Sequence, residues 1–186
     1  MDVMDVIYAR RSVREFTAKP VDEDTLRQLV DAAVQAPSAV NQQPWSFIVV
    51  RDKATLAAIS REAKEHMLRT SPVAASQHFH AILTDPKFDI FYGAPALIVI
   101  AASVETNWAV EDCALAAENL MLAARARELG TCWIGFAQGW LATSDGKTAL
   151  NIPTAYRPVA PIIVGHPKAF PAPIPRKEPE IRWIGR

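Results

Sequence analysis

The feature that most constrains the fold is an uninterrupted apolar segment, residues 95–102, in the middle of the chain. It has the length of a strand and shows no alternation of apolar and polar residues, which indicates a strand buried on both faces. The chain must therefore cover this strand from two sides. Its 186 residues suffice for one domain with a substantial core, and we expect a single domain over residues 1–186.

The longest predicted helix follows this strand, with Thr106 or Asn107 as its cap and Gly130 as its end. Acidic residues in its first turn, and Arg125 and Arg127 near its end, complement the helix dipole. Its surface is apolar almost all round. We therefore expect it to be buried, in part by a second subunit.

Helices and strands alternate along the rest of the chain. The patterns predict helices from Asp2 to about Arg11, from Asp22 to before Pro37, from Asp52 onward and between 142 and 150, and strands at 45–50, 131–136 and 159–164. Residues 70–93 are weakly periodic, and we expect an irregular lid or substrate wall there. The tail at 167–179 is proline-rich and is predicted to run extended over a surface.

Composition and charge give no support to several classes of function. Lys plus Arg and Asp plus Glu each total 20, so the formal net charge is zero and favours neither a nucleic-acid partner nor a membrane partner. Cys113 and Cys132 have no CxxC or metal-ligand spacing, which indicates reduced thiols and no metal site. The N-terminal residues lack the pattern of a signal peptide. We expect a cytoplasmic protein.

Arg10-Arg11-Ser12-Val13-Arg14 is the first segment with chemical potential. Three guanidinium groups and a hydroxyl match the oxygens of a phosphate or carboxylate. Alternatively, cations at the end of a helix complement its negative dipole and are purely structural. The cluster alone leaves both interpretations open.

A second segment, residues 37–45, carries amide and hydroxyl side chains between two prolines. These groups can hydrogen-bond a heterocycle, or they can satisfy their own backbone in a turn. In a third segment, residues 131–136, Gly135 lets backbone N–H groups approach a ligand closely; the alternative is a plain core strand. Arg176 and Lys177 in the tail either return to the arginine cluster or are solvated.

Neither the dinucleotide-binding glycine pattern nor the P-loop motif is present. Taken in order, however, the segments resemble the FMN-dependent nitroreductase family over nearly the full length. The matching motifs are Arg10 to Arg14, Pro37-Ser38 with Asn41, Gln43, Pro44 and Trp45, Tyr92-Gly93-Ala94-Pro95, residues 116–130, and Val164-Gly165-His166-Pro167 with Arg176 beyond. The resemblance implies an α+β, three-layer α-β-α fold with a mainly antiparallel sheet flanked by helices, in an intertwined homodimer.

The resemblance also implies cofactor-binding residues. Arg10, Ser12 and Arg14, with Arg11 beside them, would bind the phosphate and ribityl chain of FMN. Arg176, or alternatively Lys177, would close on the phosphate from the tail.

Two further segments would contact the flavin ring. Pro37, Ser38, Ala39 and Asn41 resemble the loop that reaches the isoalloxazine from the partner subunit. The backbone of Trp133, Ile134 and Gly135 would donate to flavin N5.

The implied activity is an NAD(P)H-dependent, ping-pong reduction of nitroaromatics, quinones or similar small-molecule acceptors. Flavin N5 carries the chemistry, so no catalytic side chain is expected. The alternatives are an enone reductase or an oxidase of the same fold, or a flavin-binding protein without turnover. Residues 69–91 are short for the family, and this region shapes the pocket above the flavin, so the substrate stays open.

Overall fold

A four-stranded antiparallel sheet lies at the centre of the computed structural model, which describes residues 2–185 apart from the Val73 side chain. The strands are β1 (Trp45–Val50), β2 (Ala96–Ala102), β3 (Gly130–Trp133) and β4 (Arg157–Gly165), in the order β1-β2-β4-β3. All seven residues of β2 are buried. The strand predicted from the apolar segment is therefore confirmed.

Helices surround the sheet. They are α1 (Val3–Ala9), α2 (Glu23–Ala33), α3 (Lys53–Thr70), α4 (Gln77–Thr84), α5 (Ala109–Ala126), α6 (Gly135–Leu141) and α7 (Ser144–Ala149). The carboxylates of Asp2, Asp22 and Asp52 cap α1, α2 and α3, each accepting a backbone N–H three residues on. The predicted starts of these three helices are confirmed.

Two hydrophobic clusters flank the sheet. On β2, Ile98 and Ile100 belong to the cluster that contains buried residues of α2 and α5. Leu97 and Val99 belong to the cluster that contains buried residues of α3 and α6. Because side chains of a strand alternate between faces, the apolar segment supplies both clusters at once. This is the expected three-layer α-β-α arrangement.

Helix α5 differs from the prediction at both ends. Its N-cap is Trp108, which makes no side-chain cap, so the predicted caps were wrong. Glu128, with a left-handed φ of 58°, terminates it, and Gly130 is already the first residue of β3. Glycine is needed there for another reason, because a Cβ would lie 2.8 Å from atoms of Val13. One face of α5 is buried, whereas Leu115 on another face is exposed.

The strand predicted over 131–136 ends early, at Trp133. The Ile134 N–H donates to the Pro161 carbonyl at 2.8 Å, but proline has no N–H with which to return a bond. The ladder therefore stops, and the Ile134 carbonyl accepts from Ala137 in the first turn of α6. Pro161, on a different strand, is the signal that local periodicity misses.

One other prediction needs correction. Residues 70–93 are not irregular throughout, since they contain a 3-10 turn at Pro72–Ala75 and helix α4. The tail has no regular secondary structure, as predicted, and its first part runs over the chain's own surface: Pro167 bridges to Phe16, and Pro171 and Pro173 line a cavity with residues of α1. Residues 171–185 are all exposed. Among residues 2–185, every helix is too short or too polar to cross a membrane.

Candidate functional site

The segment after α1 pairs with the free edge of β3. Ser12 forms a parallel bridge with Thr131, and the Val13 N–H donates to the Thr131 carbonyl at 2.9 Å. This pairing places the side chains around Ser12 next to Cys132, the following residue of β3. We call Arg10, Ser12 and Arg14 the basic clamp.

The two arginines of the basic clamp have different neighbours. Arg10 Nε donates to Glu118 Oε1 on α5 at 3.1 Å. This bond uses Nε only, which leaves the two Nη groups for an anion. The guanidinium carbon of Arg14 lies 5.9 Å from the centre of the Tyr92 ring. Each cation therefore has a neighbour on another segment of the chain, and Arg14 is exposed.

Arg11 points elsewhere. Its Nη1 donates to the carbonyls of Tyr8 (2.7 Å) and Arg10 (2.6 Å) at the end of α1. It lines a separate cavity with Arg125 and Phe170. Arg11 thus fits the structural interpretation of the arginine cluster, because it makes the contacts of a cation at a helix end. Arg10 and Arg14 remain candidates for binding an anion.

A small cavity lies beside the basic clamp, with a volume of about 110 Å³. Its lining residues are Arg14, Ile90, Tyr92, Cys132, Trp133, Ile134, Gly135 and Phe136. Because the Ile134 N–H is bonded to Pro161, an available donor in this wall is Gly135, whose N–H begins α6 and has no intrahelical partner. A larger cavity of about 600 Å³, between α3 and residues 86–95, contains none of the predicted site residues.

Cys132, in the wall of this cavity, has a raised pKa and lies within reach of two positive charges. Burial raises the pKa of its thiol, whereas the charges of Arg14 and Arg10 and a hydrogen bond with Ser12 lower it. Both arginines therefore act on the same wall. An anion or an electron-rich ring at this position is favoured by that field.

Residues 37–44, which we call the amide loop, contain a 3-10 turn at Ala39–Asn41. Ser38 Oγ accepts the Gln43 N–H at 2.9 Å, as expected for turn chemistry. The Ala39 N–H donates to Asp112 Oδ1 on α5 at 3.1 Å. None of the described residues of this loop, Pro37, Ser38, Ala39 and Asn41 included, lines the cavity beside the basic clamp.

Helix α5 positions both regions. Asp112, which contacts the amide loop, and Glu118, which contacts Arg10, are separated by about 9 Å along the axis and about 120° around it. The sequence interpretation assigned Asp112 to the helix dipole alone and gave Glu118 no role. The missed signal was that Asp112 lies one helical turn from Ala116, on the buried face.

Arg176 is exposed in the tail, as is Lys177. Within the part of the chain that the structure describes, Arg176 makes no hydrogen bond or ion pair. A single chain therefore does not bring it to the basic clamp.

Comparison with known proteins shows which family the chain belongs to. The model of the nitroreductase family matches residues 7–166. The 5,6-dimethylbenzimidazole synthase of Rhodospirillum rubrum is 30% identical over 211 residues, covering 100% of this chain and 90% of the relative. The NAD(P)H FMN reductase of Bacillus subtilis is 27% identical over 184 residues, covering 94% and 70%. A crystal structure of an FMN-bound nitroreductase from Bacteroides fragilis superposes with a TM-score of 0.87 at 25% identity over 100% of both chains. This chain is a member of the nitroreductase family.

Proposed function

We propose that this chain is an FMN-dependent oxidoreductase that uses NAD(P)H to reduce small electrophilic acceptors such as nitroaromatics or quinones. The observation that carries the proposal is the basic clamp beside a cavity with a free backbone donor. Arg14 and Gly135 line one cavity, and Arg10 is close enough to lower the pKa of Cys132 in its wall. Similarity to relatives named as FMN and NAD(P)H enzymes supports the same conclusion.

The residues present suit FMN. Arg10, Ser12 and Arg14 offer charged and hydroxyl donors for its phosphate and ribityl chain. The Gly135 N–H offers a hydrogen bond to flavin N5, and the side chains of Trp133 and Ile134 contribute to the wall. When bound, FMN supplies the redox chemistry, accepting hydride from NAD(P)H and passing electrons to the acceptor in a ping-pong cycle.

We further propose that two copies of the chain share each FMN site. A cavity of about 110 Å³ is far below the roughly 300–1,000 Å³ of a typical small-molecule pocket. The amide loop and the basic clamp lie on different sides of α5, so one chain does not close both on the same ligand. In a dimer, the amide loop of one copy completes the pocket of the other.

Exposed apolar surface supports the same assembly. Large apolar side chains are exposed on α1, on α5 and along the tail, where Trp183 is 76% exposed and Ile184 is 98% exposed. Soluble monomers rarely leave so much apolar surface uncovered. A second copy that covers α5 and receives the tail accounts for these residues, and it offers a route by which Arg176 reaches an FMN phosphate.

Aromatic side chains form the acceptor side of the proposed pocket. Phe136 follows Gly135 and makes edge-to-face contacts with Phe79 of α4 and with Phe88, at distances between ring centres of 6.2 Å and 6.5 Å. These rings suit a flat acceptor that stacks on the flavin. We infer from these contacts a substrate wall in α4 and the segment after it.

The absorbance spectrum of the purified protein is the first test. We expect flavin bands, or their appearance when FMN is added to the apoprotein, and a dimer by sedimentation equilibrium. A protein that binds no FMN contradicts the proposed function, and a monomer that binds FMN with undiminished affinity contradicts the shared site alone.

Anaerobic reduction by NADH or NADPH, followed by a panel of acceptors, then identifies the activity. We expect nitroaromatics or quinones to reoxidise the bound flavin faster than they reoxidise free reduced FMN. Preference for an enone or for oxygen indicates the alternative reductase or oxidase. No acceleration by any acceptor indicates flavin binding without turnover.

A further inference from the structure

The amide loop has an unfavourable backbone. Val40, Asn41 and Gln43 have left-handed φ values of 47°, 56° and 51°. For a β-branched residue such as Val40 this conformation is costly, and its side chain is 87% exposed and so gains nothing by burial within the chain. Strained backbone of this kind persists only where surrounding contacts determine it.

Several of these contacts are internal to the loop. The Asn41 N–H donates to the Ser38 carbonyl at 3.0 Å, and Gln43 donates from its backbone to Ser38 Oγ and from its side chain to Asn41 Oδ1. Such bonds give the loop a shape. Because both partners move together, they do not fix the loop relative to the rest of the protein.

The bond to Asp112 is of a different kind. It joins the Ala39 N–H to a carboxylate 73 residues later, in the first turn of α5. Asp112 is 3% exposed, and the positive end of the helix dipole stabilises its charge. Its other oxygen, Oδ2, is buried without a partner among the described residues. Burying a carboxylate with one acceptor oxygen unpaired lowers the stability of the fold, so stability alone does not explain this residue.

We propose that Asp112 is a positioning residue for flavin binding, which fixes the amide loop against α5 through Ala39. The inference rests on the proposed function. Asp112 touches neither flavin nor acceptor; it determines where Ser38, Ala39 and Asn41 stand. In the dimer it acts on the pocket of the other copy.

Two variants remove this one hydrogen bond from opposite ends. Asp112→Ala removes the acceptor. Ala39→Pro removes the donor without touching the core, and it is compatible with the backbone because Ser38, at φ −139° and ψ 153°, is extended as the residue before a proline must be. Each variant, and the double variant, is titrated as apoprotein with FMN, and its flavin circular dichroism is recorded at saturation.

We expect each single variant to weaken FMN binding about tenfold or more. The double variant should bind FMN no more weakly than the weaker-binding of the two single variants, because both remove the same hydrogen bond. The flavin dichroism should change in all three variants. Asp112→Asn, which keeps an acceptor oxygen of the same shape, should retain affinity within about threefold. Glu111→Gln, an exposed carboxylate of the same turn, should change nothing and controls for the charge.

Two results would overturn the inference while leaving the proposed function intact. One is that Asp112→Ala binds FMN with wild-type affinity. The other is that the fold-losses of FMN affinity in the two single variants multiply in the double variant. If Asp112→Ala does not fold, Ala39→Pro decides, and undiminished affinity there overturns the inference. Absence of FMN binding by the wild-type protein contradicts both.

Discussion

The basic clamp and the amide loop are both attached to α5 by a carboxylate, yet in different ways. Glu118 is 46% exposed and pairs with the charged side chain of Arg10. Asp112 is buried and accepts a backbone N–H. The clamp presents charged side chains to an anion, whereas the loop presents backbone and amide groups to a ring. Variants of the clamp should therefore change affinity through charge, and variants of the loop through position.

The charges near the two cysteine thiols also differ between the loop and the clamp. Burial raises the pKa of both thiols. Beside the loop, the charge of Asp112 raises the pKa of Cys113 further, to about 12. Beside the clamp, Arg14, Arg10 and Ser12 oppose the rise for Cys132. The electrostatic environment is thus negative at one region and positive at the other.

The largest effect is expected from the cations. Arg14→Ala should lower FMN affinity about 10- to 100-fold, because a charge-assisted hydrogen bond to phosphate is lost. Arg11→Ala is the matched variant, and it should stay within about threefold, since Arg11 Nη1 bonds to carbonyls of α1. Fluorescence titration of the apoproteins measures both. Equal losses would show that the whole arginine cluster binds the phosphate.

Steric damage to the clamp should come next. In Gly130→Ala, the added Cβ would lie 2.8 Å from Val13, whose nearest atoms include its own Cβ and so have little freedom to move. We expect the free energy of unfolding to fall by about 1–3 kcal/mol, with weaker FMN binding.

Gly135→Ala is the control for this substitution. A Cβ there meets nothing within 4 Å, so the stability of the apoprotein, measured in urea, should hardly change. FMN binding should still weaken, because the new methyl group lies where the ring is proposed to approach. A destabilised Gly135→Ala variant with intact FMN binding would reverse these assignments.

Local sequence predicted the parts of the fold that depend on local patterns. β1 and β2 follow from β-branched and apolar runs, and α2 and α3 follow from capping aspartates and amphipathic spacing. Helix α4 was missed because an eight-residue helix has little intrinsic signal and is stabilised by packing.

Long-range contacts limited the prediction of the site. The end of β3 depends on Pro161, and the position of the amide loop depends on Asp112, and neither dependence is visible near those segments in the sequence. The basic clamp could be named because its residues are adjacent in sequence. Its division into Arg10 and Arg14 on one side and Arg11 on the other required the structure.

The dependence of stability on pH tests whether the surroundings of the two cysteine thiols differ in charge. A thiol whose pKa in the folded state exceeds its unfolded value of 9.0 contributes stability that is complete below that value and is lost as the pH rises towards the folded pKa. The free energy of unfolding should therefore fall by roughly 1 kcal/mol more between about pH 8 and pH 10 in the wild type than in Cys113→Ala. Cys132→Ala should change the dependence of stability on pH less, because the residues of the clamp oppose the rise in the pKa of Cys132. Equal flattening would show that the two regions do not differ in charge.

A variant that relieves backbone strain tests the conformation of the amide loop. Val40→Asn replaces a β-branched residue by one that tolerates left-handed φ, and it should raise the free energy of unfolding by about 1 kcal/mol in urea titrations of the apoprotein. Asn41→Val, which adds a β-branched residue at the next left-handed position, should lower it. A less stable Val40→Asn variant would indicate that Val40 is buried against another copy of the chain.

The smallest effect should come from Glu118→Gln, although this residue touches the basic clamp directly. Half-exposed ion pairs contribute only about 0–1 kcal/mol, and glutamine retains an oxygen for Arg10 Nε. Removing the carboxylate also leaves the charge of Arg10 less compensated, which strengthens its attraction for a phosphate and offsets the loss of orientation. We therefore expect FMN affinity within about threefold of wild type, with the difference shrinking as salt is added. A loss of about tenfold or more that persists in high salt would show that the clamp too acts by position, because added salt screens charges but does not change a fixed geometry.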